Sequence, residues 1–220
     1  MTPMTPMTPI TPITPIILDA PISYADALRM QLERWEQVSR GDAPNTVFLL
    51  EHLHVITMGR DTKPEHVLHS EDALRAMGVE LYKAERGGDA TYHGPGQLVA
   101  YPILRLKDFN LGIRAYMRAL EEVLIRTLDT YGVQGQRVEG LTGVWVDGAK
   151  VAACGVGIRR WTTFHGIALN INPNMDHFKL IVPCGIADRP VTTMKLLMGN
   201  APKFEEVRER YLWALGEVFK

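Results

Sequence analysis

Apolar residues recur three or four positions apart in several stretches of the chain, which is the spacing of one face of an α-helix. Glycines end the first and the longest of these stretches, at Gly41 and Gly132, as glycine commonly does at a helix C-terminus. Ser23 and Asp26 have the spacing of a helix cap at the start of the first stretch. The pattern predicts helices from Tyr24 to the break at Gly41 and over residues 71–77, 113–131 and 204–218.

Short apolar runs lie between these helices and are bounded by turn residues. They predict strands over residues 47–50, 55–58, 79–84, 97–106, 144–146, 150–153 and 162–171. Asp147-Gly148 separates two of the runs and is a strong signal for a β-hairpin. Strands and helices do not alternate regularly, so we expect a single α+β domain with a mostly antiparallel, mixed sheet flanked by helices.

The first residues of the chain differ from the rest, because Thr-Pro recurs there at every third position. Proline fixes φ and removes a backbone donor, which opposes both helix formation and strand pairing. The segment also lacks the basic start and continuous apolar core of a signal peptide. We therefore expect residues 1–16 to form a disordered or extended arm and residues 17–220 to form the folded domain.

Composition excludes several classes of function. The chain has 220 residues, 46% of them hydrophobic, and a formal net charge of −1. A near-neutral chain has no electrostatic footprint for nucleic acid or an anionic membrane, and no apolar run reaches the roughly 20 residues of a membrane span. The two cysteines, Cys154 and Cys184, give no disulfide framework, so we expect a cytoplasmic protein with reduced thiols.

The stretch over residues 86–97, RGGDATYHGPGQ, lies between two predicted strands and contains almost no core-forming side chains. Glycine is tolerated where the backbone takes a positive φ or approaches another group closely. A polar, glycine-rich loop held between core strands is a candidate ligand platform. The alternative is a tight β-connection whose glycines serve turn geometry only. His93 within it either orients a substrate carbonyl or bonds to backbone.

Cys184 and Lys150 are the candidate reactive pair. Cys184 stands between Pro183 and Gly185 after an apolar run, which either presents its sulfur or buries it as a small hydrophobe. A nucleophilic thiol needs a nearby cation to lower its pKa. Lys150 supplies one if it begins a buried strand, whereas the alternative is an exposed hairpin lysine. Cys154 lies further along the same strand and is interpreted as a core residue.

The strand over residues 162–171 offers a place for an aliphatic ligand. Alternation places Phe164, Gly166, Ala168 and Asn170 on one face, and the small residues there leave a groove. A helix packed across that face would use the same space. Regular pairing directs His165 to the opposite face.

Other enzyme chemistries lack their motifs in this sequence. There is no G-x-S-x-G elbow, H-E-x-x-H pair, Walker loop or C-x-x-C pair. His52 and His54 make a weak metal pair at best, so we expect no metal site.

Four blocks of sequence together resemble the lipoyl(octanoyl) transferase family. They are RGGDATYHGPGQ at 86–97, KVAACG at 150–155, FHGIALN at 164–170 and PCG at 183–185, in order within residues 17–218. The resemblance implies the fold of the biotin/lipoyl protein ligase catalytic domain. It also implies an acyltransferase that moves an octanoyl group from octanoyl-acyl carrier protein to a lysine of a lipoyl domain. Its acceptors would be lipoyl domains of 2-oxoacid dehydrogenase complexes and the glycine cleavage H protein.

The same resemblance implies roles for individual residues. Cys184 would be the nucleophile that carries the acyl thioester, and Lys150 would lower its pKa. Backbone N–H groups near Cys184 or in the glycine-rich loop would hold the oxyanion. No cofactor is implied, and a monomer is the default. Substrate contacts would fall on three groups of residues: Arg86, Gly87, Gly88, Asp89, Ala90, Thr91, Tyr92 and His93; Ala153, Cys154 and Gly155; and Gly166, Ile167 and Ala168.

Two rival functions use the same features differently. An ATP-dependent lipoate or biotin ligase activates a free acid as an adenylate and gives the Pro-Cys-Gly block no purpose. A non-catalytic acyl-binding module would use the groove without transferring the acyl group.

Overall fold

The computed structural model of the protein describes residues 12–183 and 189–220. Most of residues 1–16, together with Cys184, fall outside this part of the chain, which begins at Pro12. Its helices are α1 Tyr24–Arg40, α2 Glu71–Ala76, α3 Ile113–Asp129, α4 Met194–Met198 and α5 Phe204–Val218. Its strands are β1 Thr14–Ile17, β2 Thr46–Leu50, β3 Val55–Met58, β4 Glu80–Lys83, β5 Thr91–His93, β6 Gln97–Ile103, β7 Gln136–Val138, β8 Leu141–Val146, β9 Ala149–Arg159 and β10 Thr162–Asn170.

The strands form a large and a small sheet. The large sheet has the order β1-β2-β6-β10-β9-β8-β7, and the small one has the order β4-β3-β5. All neighbouring pairs are antiparallel except β1 with β2 and β3 with β4. The predicted α+β class with a mostly antiparallel, mixed sheet is therefore confirmed.

Helices cover both faces of the large sheet. On one face the apolar stripes of α3 and α5 pack against inward side chains of β6 and β10, such as Leu98 and Leu169. On the other face α1 inserts Trp35 against Phe164 of β10, and the Trp35 indole donates to the Thr162 carbonyl at 3.1 Å. The sheet is thus buried on both sides. No described helix is long and apolar enough to cross a membrane.

Local signals in the sequence fix several boundaries. Ser23 caps α1, because its hydroxyl accepts from the Asp26 amide at 3.1 Å. Gly41 ends that helix in the left-handed region, with φ 87°. Asp147 and Gly148 take φ values of 48° and 79°, the left-handed pair that a two-residue hairpin between β8 and β9 requires.

The N-terminal arm is extended where the structure describes it, but the expectation that its prolines oppose strand pairing is wrong there. Residues 14–17 form a strand paired in parallel with β2, although Pro15 lies within it. β1 is the edge of the sheet, and an edge strand tolerates proline because only one side of it needs backbone donors.

Candidate active site

A cavity of about 410 Å³ opens where the glycine-rich loop faces β9 and β10. Such a volume is within the usual range of small-molecule pockets, about 300–1,000 Å³. Thirteen of the residues predicted from the sequence line it. They are Arg86, Gly87, Gly88, Asp89, Thr91, His93, Lys150, Ala153, Cys154, Gly155, Gly166, Ile167 and Ala168.

Ala90 and Tyr92 do not line the cavity. Successive side chains of β5 point to opposite faces, so Thr91 and His93 face the cavity while Tyr92 faces the core of the small sheet. The Tyr92 hydroxyl bonds there to Nδ1 of His54 at 2.8 Å and Nδ1 of His177 at 3.0 Å. Tyr92 therefore does not reach the cavity, and it cannot position a substrate there by direct contact.

The floor of the cavity is almost bare backbone. β9 and β10 pair in a register that sets Gly166 opposite Gly155 and Ala168 opposite Ala153. A Cβ on Gly166 would lie 2.2 Å from the Ala100 carbonyl oxygen, so only glycine fits beside β6. Four small residues in cross-strand pairs therefore leave room for a ligand along the sheet. Phe164 and Ala168 also pack with α1, so the predicted groove and the predicted helix packing coexist.

The first residues of the glycine-rich loop are held by hydrogen bonds to neighbouring segments. The Gly87 amide donates to the Val156 carbonyl at 3.0 Å, and the Gly88 amide donates to the Asp61 carboxylate at 2.9 Å. A Cβ on Gly59 would lie 2.1 Å from the Gly88 carbonyl oxygen, so the loop can approach β3 only because Gly59 has none. The two glycine amides are occupied and are not free oxyanion donors.

Arg86 anchors the loop from below. Its guanidinium donates to the Thr57 carbonyl at 2.6 Å and to the Thr57 hydroxyl at 2.8 Å, and the side chain is buried. The guanidinium places a fixed positive charge at the lining of the cavity. Charge buried in this way strongly favours negative or polar groups nearby.

Lys150 is buried, so the reading of an exposed hairpin lysine is wrong. Only 7% of its surface is exposed, and Nζ lies 4.8 Å from the centre of the Trp145 ring, at cation–π distance. Its backbone amide donates to the Pro190 carbonyl at 2.9 Å, and its carbonyl accepts from the Thr192 amide at 2.9 Å. Arg189 places its guanidinium 5.6 Å from the same indole. Residues 189–192 therefore lie beside Lys150 and Trp145.

The chain that precedes Cys184 is linked to the cavity lining through His66. The Val182 amide donates to the His66 carbonyl at 2.9 Å. The His66 ring bonds through Nδ1 to the Asp89 carboxylate at 2.5 Å, and Asp89 lines the cavity. Cys184 itself lies outside the described residues. Cys154 is half-buried, packs against the core and also lines the cavity.

Part of the wall comes from segments that no motif marked. Met117 of α3 and residues 140–142 at the β7–β8 turn close one side of the cavity. Glu121, 2% exposed, holds that turn by accepting from the Gly143 amide at 3.1 Å and from Arg137 at 3.2 Å. The sequence signal that could have pointed to this part of the wall is a glutamate, Glu121, on the apolar face of a predicted amphipathic helix. The remaining unpredicted lining residues are Tyr24, Arg60, Tyr101, Val156 and His165.

His165 lines the cavity together with Gly166, against the regular alternation expected for β10. Its φ of 57° departs from the extended conformation, and its amide is held by the Gln31 carboxamide oxygen at 2.8 Å. A left-handed residue inside a strand is strained and persists only where its surroundings hold it. The distortion lets His165 line the same cavity as the neighbouring Gly166.

Three buried histidines lie in or next to the cavity and are neutral at ordinary pH: His93 and His165 line it, and the ring of His52 lies 5.7 Å from that of His93. Burial lowers the pKa of His52 to about 4 and that of His165 to about 3. Burial also lowers the pKa of His93 well below its usual value, helped by the nearby His52 and Arg86. A histidine whose charged form is desolvated resists protonation.

These pKa shifts predict that the protein loses stability as pH falls below about 6.5. The unfolded chain binds protons on these histidines below that pH, whereas the folded chain stays neutral down to about pH 4 at His52. Each buried histidine should therefore lower the free energy of unfolding by roughly 1 kcal/mol per pH unit within this window. Urea unfolding between pH 7.5 and 5.5 measures the slope.

His165→Gln should flatten this slope, and the exposed His69→Gln is the matched control that should leave it unchanged. An identical slope in the His165→Gln variant would contradict the assignment of a buried neutral histidine.

Comparison with known proteins places this fold and cavity in a family. The lipoyl protein ligase A/B catalytic domain matches residues 23–216. The crystal structure of a lipoate-protein ligase A bound with ATP has a TM-score of 0.74 at 18% identity, over 93% of this chain and 84% of that one. The chain belongs to the lipoyl protein ligase A/B catalytic domain family, and the expected fold is confirmed.

Closer relatives define its branch of the family. An octanoyltransferase of Chloroflexus aurantiacus is 46% identical over 201 residues, which are 90% of each chain. An octanoyltransferase of Koribacter versatilis is 47% identical over 204 residues, 90% of this chain and 81% of the relative. The predicted resemblance is confirmed: the protein is an acyltransferase of the octanoyltransferase family, which acts in protein lipoylation.

Proposed function

We propose that this protein takes an octanoyl group from octanoyl-acyl carrier protein and transfers it to a lysine of a lipoyl domain through a thioester on Cys184. The observation that carries the proposal is the placement of Lys150. Lys150 lines the 410 Å³ cavity, and its backbone bonds to Pro190, six residues beyond Cys184. On the other side, the Val182 amide, two residues before Cys184, donates to the His66 carbonyl, and the His66 ring bonds to Asp89 of the cavity lining.

The lining of the cavity combines apolar side chains that suit an acyl chain with polar groups that suit the reaction. Met117, Leu141 and Ile167 are apolar, whereas Arg86, His93 and Lys150 are polar or charged. Burying the methylenes of an octanoyl chain contributes roughly 5 kcal/mol of binding free energy at about 0.8 kcal/mol each. The bare floor formed by Gly155 and Gly166 lets the chain lie against the sheet.

In the first half-reaction the Lys150 ammonium favours the Cys184 thiolate by charge proximity. The thiolate attacks the thioester carbonyl, and the carbon–sulfur bond to the carrier breaks. Lys150 donates its proton to the departing thiolate, which leaves as a thiol. Exchange of one thioester for another is nearly neutral in free energy, so the octanoyl group rests on the enzyme.

In the second half-reaction the neutral amine of the acceptor lysine attacks the enzyme thioester. Neutral Lys150 takes a proton from the nitrogen, the bond to Cys184 breaks, and an amide forms. Amide formation makes this half favourable. The cycle returns Lys150 to its ammonium form and Cys184 to its thiolate, so ping-pong kinetics follow.

The first amides of the glycine-rich loop do not have free hydrogens for the oxyanion. The amides of Gly87, Gly88 and Ala90 are already bonded, the last to the Asp89 carboxylate at 2.6 Å. This occupancy counts against the expectation that the glycine-rich loop supplies the oxyanion hole. The proposed reaction uses no metal or nucleotide, and we propose that the protein acts in the cytoplasm as a monomer.

The rival reading, an ATP-dependent ligase, is tested by offering both donors. Wild-type protein is incubated with apo-lipoyl domain and either octanoyl-acyl carrier protein or free octanoate with ATP and Mg²⁺. Intact mass spectrometry should show octanoylated domain with the carrier donor alone, and none on a domain whose target lysine is replaced by arginine. Product only with octanoate and ATP would establish the ligase, and no product with either donor would favour an acyl-binding module.

A further inference from the structure

A chain of hydrogen bonds behind the cavity fixes the orientation of two buried amides. It starts at the Thr192 carbonyl oxygen, which can only accept, so the Asn170 atom 3.1 Å away is its Nδ2. Asn170 then turns Oδ1 toward Gln97, whose Nε2 donates to it at 2.8 Å. The Tyr92 carbonyl also accepts from Gln97 Nε2, at 3.3 Å. Two backbone carbonyls therefore agree on the orientation of the Gln97 carboxamide.

This orientation determines the tautomer of His93. Gln97 Oε1 lies 2.7 Å from His93 Nδ1, and since that oxygen can only accept, Nδ1 carries the hydrogen. His93 lines the cavity, whereas Gln97 does not. The His93 ring therefore directs Nδ1 toward Gln97, away from the cavity, and directs Nε2 toward the cavity. Neutral imidazole with its hydrogen on Nδ1 has a lone pair on Nε2. The cavity thus contains a fixed hydrogen-bond acceptor.

The ring stays in this neutral form at working pH. Burial is the largest cause of the lowered pKa of His93, and the charge of Arg86 and the rings of His52 and His165 act in the same direction. An acceptor of this kind cannot bind a thioester carbonyl, because both atoms are acceptors. The possibility that His93 orients a substrate carbonyl is therefore excluded by its tautomer.

We propose that His93 Nε2 binds and orients the amine of the acceptor lysine in the second half-reaction. This inference rests on the proposed function. A neutral primary amine has two N–H bonds and one lone pair. When His93 Nε2 accepts a hydrogen bond from one N–H, the lone pair of the amine nitrogen points at the thioester carbon. The second N–H of the amine is then available to Lys150.

The proton balance fits this assignment. After attack, the nitrogen carries both hydrogens, and Lys150 removes one as the bond to sulfur breaks. The hydrogen held by His93 is the one that the product amide keeps. His93 therefore transfers no proton and needs no change of charge, which suits a ring that burial keeps neutral.

The two half-reactions of His93→Asn provide the test. Asparagine keeps a donor for Gln97 Oε1 but has no group at the position of Nε2. Acyl-enzyme is formed with octanoyl-acyl carrier protein, separated from the donor, and mixed with apo-lipoyl domain in a single turnover. We expect the acyl-enzyme to form at the wild-type rate and its discharge to the domain to slow on the order of 100-fold.

Two controls separate positioning from structural damage. Hydroxylamine is unprotonated at neutral pH and small enough to need no orientation, so it should discharge the variant and wild-type acyl-enzymes equally. His54→Asn changes a histidine bonded to Tyr92 outside the cavity lining and should alter neither half-reaction.

Other outcomes identify what failed. Slow acylation with normal discharge would overturn the proposal and indicate that His93 binds an amide N–H of the donor's arm. Equal slowing of both steps, or slow hydroxylamine discharge, would also overturn it. Absence of any acyl-enzyme in the wild type would instead contradict the proposed function itself.

Gln97→Glu tests the amide chain through a pH profile. A carboxylate still accepts from His93 Nδ1 but stabilises the imidazolium, so the pKa of His93 rises and Nε2 becomes protonated at low pH. The acidic limb of the discharge rate should move up by about one pH unit or more. A limb that stays in place would show that Gln97 does not control His93.

Discussion

Cys184→Ser should leave no octanoyl adduct that intact mass spectrometry can detect after incubation with octanoyl-acyl carrier protein, whereas Cys154→Ser should retain it. Serine keeps the size of cysteine but is hardly ionised at neutral pH, so thioester exchange loses its nucleophile. Transfer to the lipoyl domain should fall by several orders of magnitude in the first variant only. Release of the wild-type adduct by hydroxylamine identifies it as a thioester.

Cys154→Ser is a demanding control for Cys184→Ser. Its thiol lines the same cavity and is half-buried, so it is a genuine second candidate for acylation. An adduct that survives in Cys184→Ser and disappears in Cys154→Ser would transfer the nucleophilic role to Cys154. Thermal unfolding of both variants checks that the fold is intact.

Lys150→Met should slow acyl-enzyme formation by about 10²–10⁴-fold, because it removes both the positive charge and the proton donor. Methionine retains an unbranched chain that can pack against Trp145, and loss of a buried charge need not destabilise the fold. The measurement is the single-turnover rate of acylation, followed by mass spectrometry.

Lys150→Arg separates the two contributions of this residue. Arginine keeps the charge but does not exchange protons at neutral pH. In a Cys154→Ser background, Lys150→Arg should keep more of the iodoacetamide reactivity of Cys184 than Lys150→Met does, yet it should not restore transfer. Full reactivity of Cys184 in Lys150→Met would contradict charge stabilisation of the thiolate.

Elements with a strong local signal were predictable from the sequence. The last helix, Phe204–Val218, and the strand Val55–Met58 have the predicted bounds, since their periodicity and flanking turns agree. β9 runs on to Arg159, beyond the predicted end at residue 153, because its glycine-rich half is stabilised by pairing with β10 rather than by its own side chains. β1 was missed for the same reason, since β2 supplies its partner.

The residues of the site also include some that the sequence could predict and some that it could not. The loop and the two strand motifs were visible as sequence blocks, and the sheet register brings them together. The alternation of β5 could have assigned Tyr92 to the opposite face, had the strand over residues 91–93 been recognised. Met117 and the turn at residues 140–142 depend on how α3 lies against the sheet, which local sequence does not encode.

The paired glycines and alanines under the cavity make substrate choice adjustable mainly in one direction. Ala153 and Ala168 face each other across β9 and β10 and carry the smallest side chains that a residue with a Cβ can have. A single change there to valine adds methyl groups and narrows the space, which favours shorter acyl groups. Widening the space is far more limited, because a change of either alanine to glycine removes only one methyl group. Acceptance of longer chains would therefore require changes at larger lining residues, such as Met117 or Leu141.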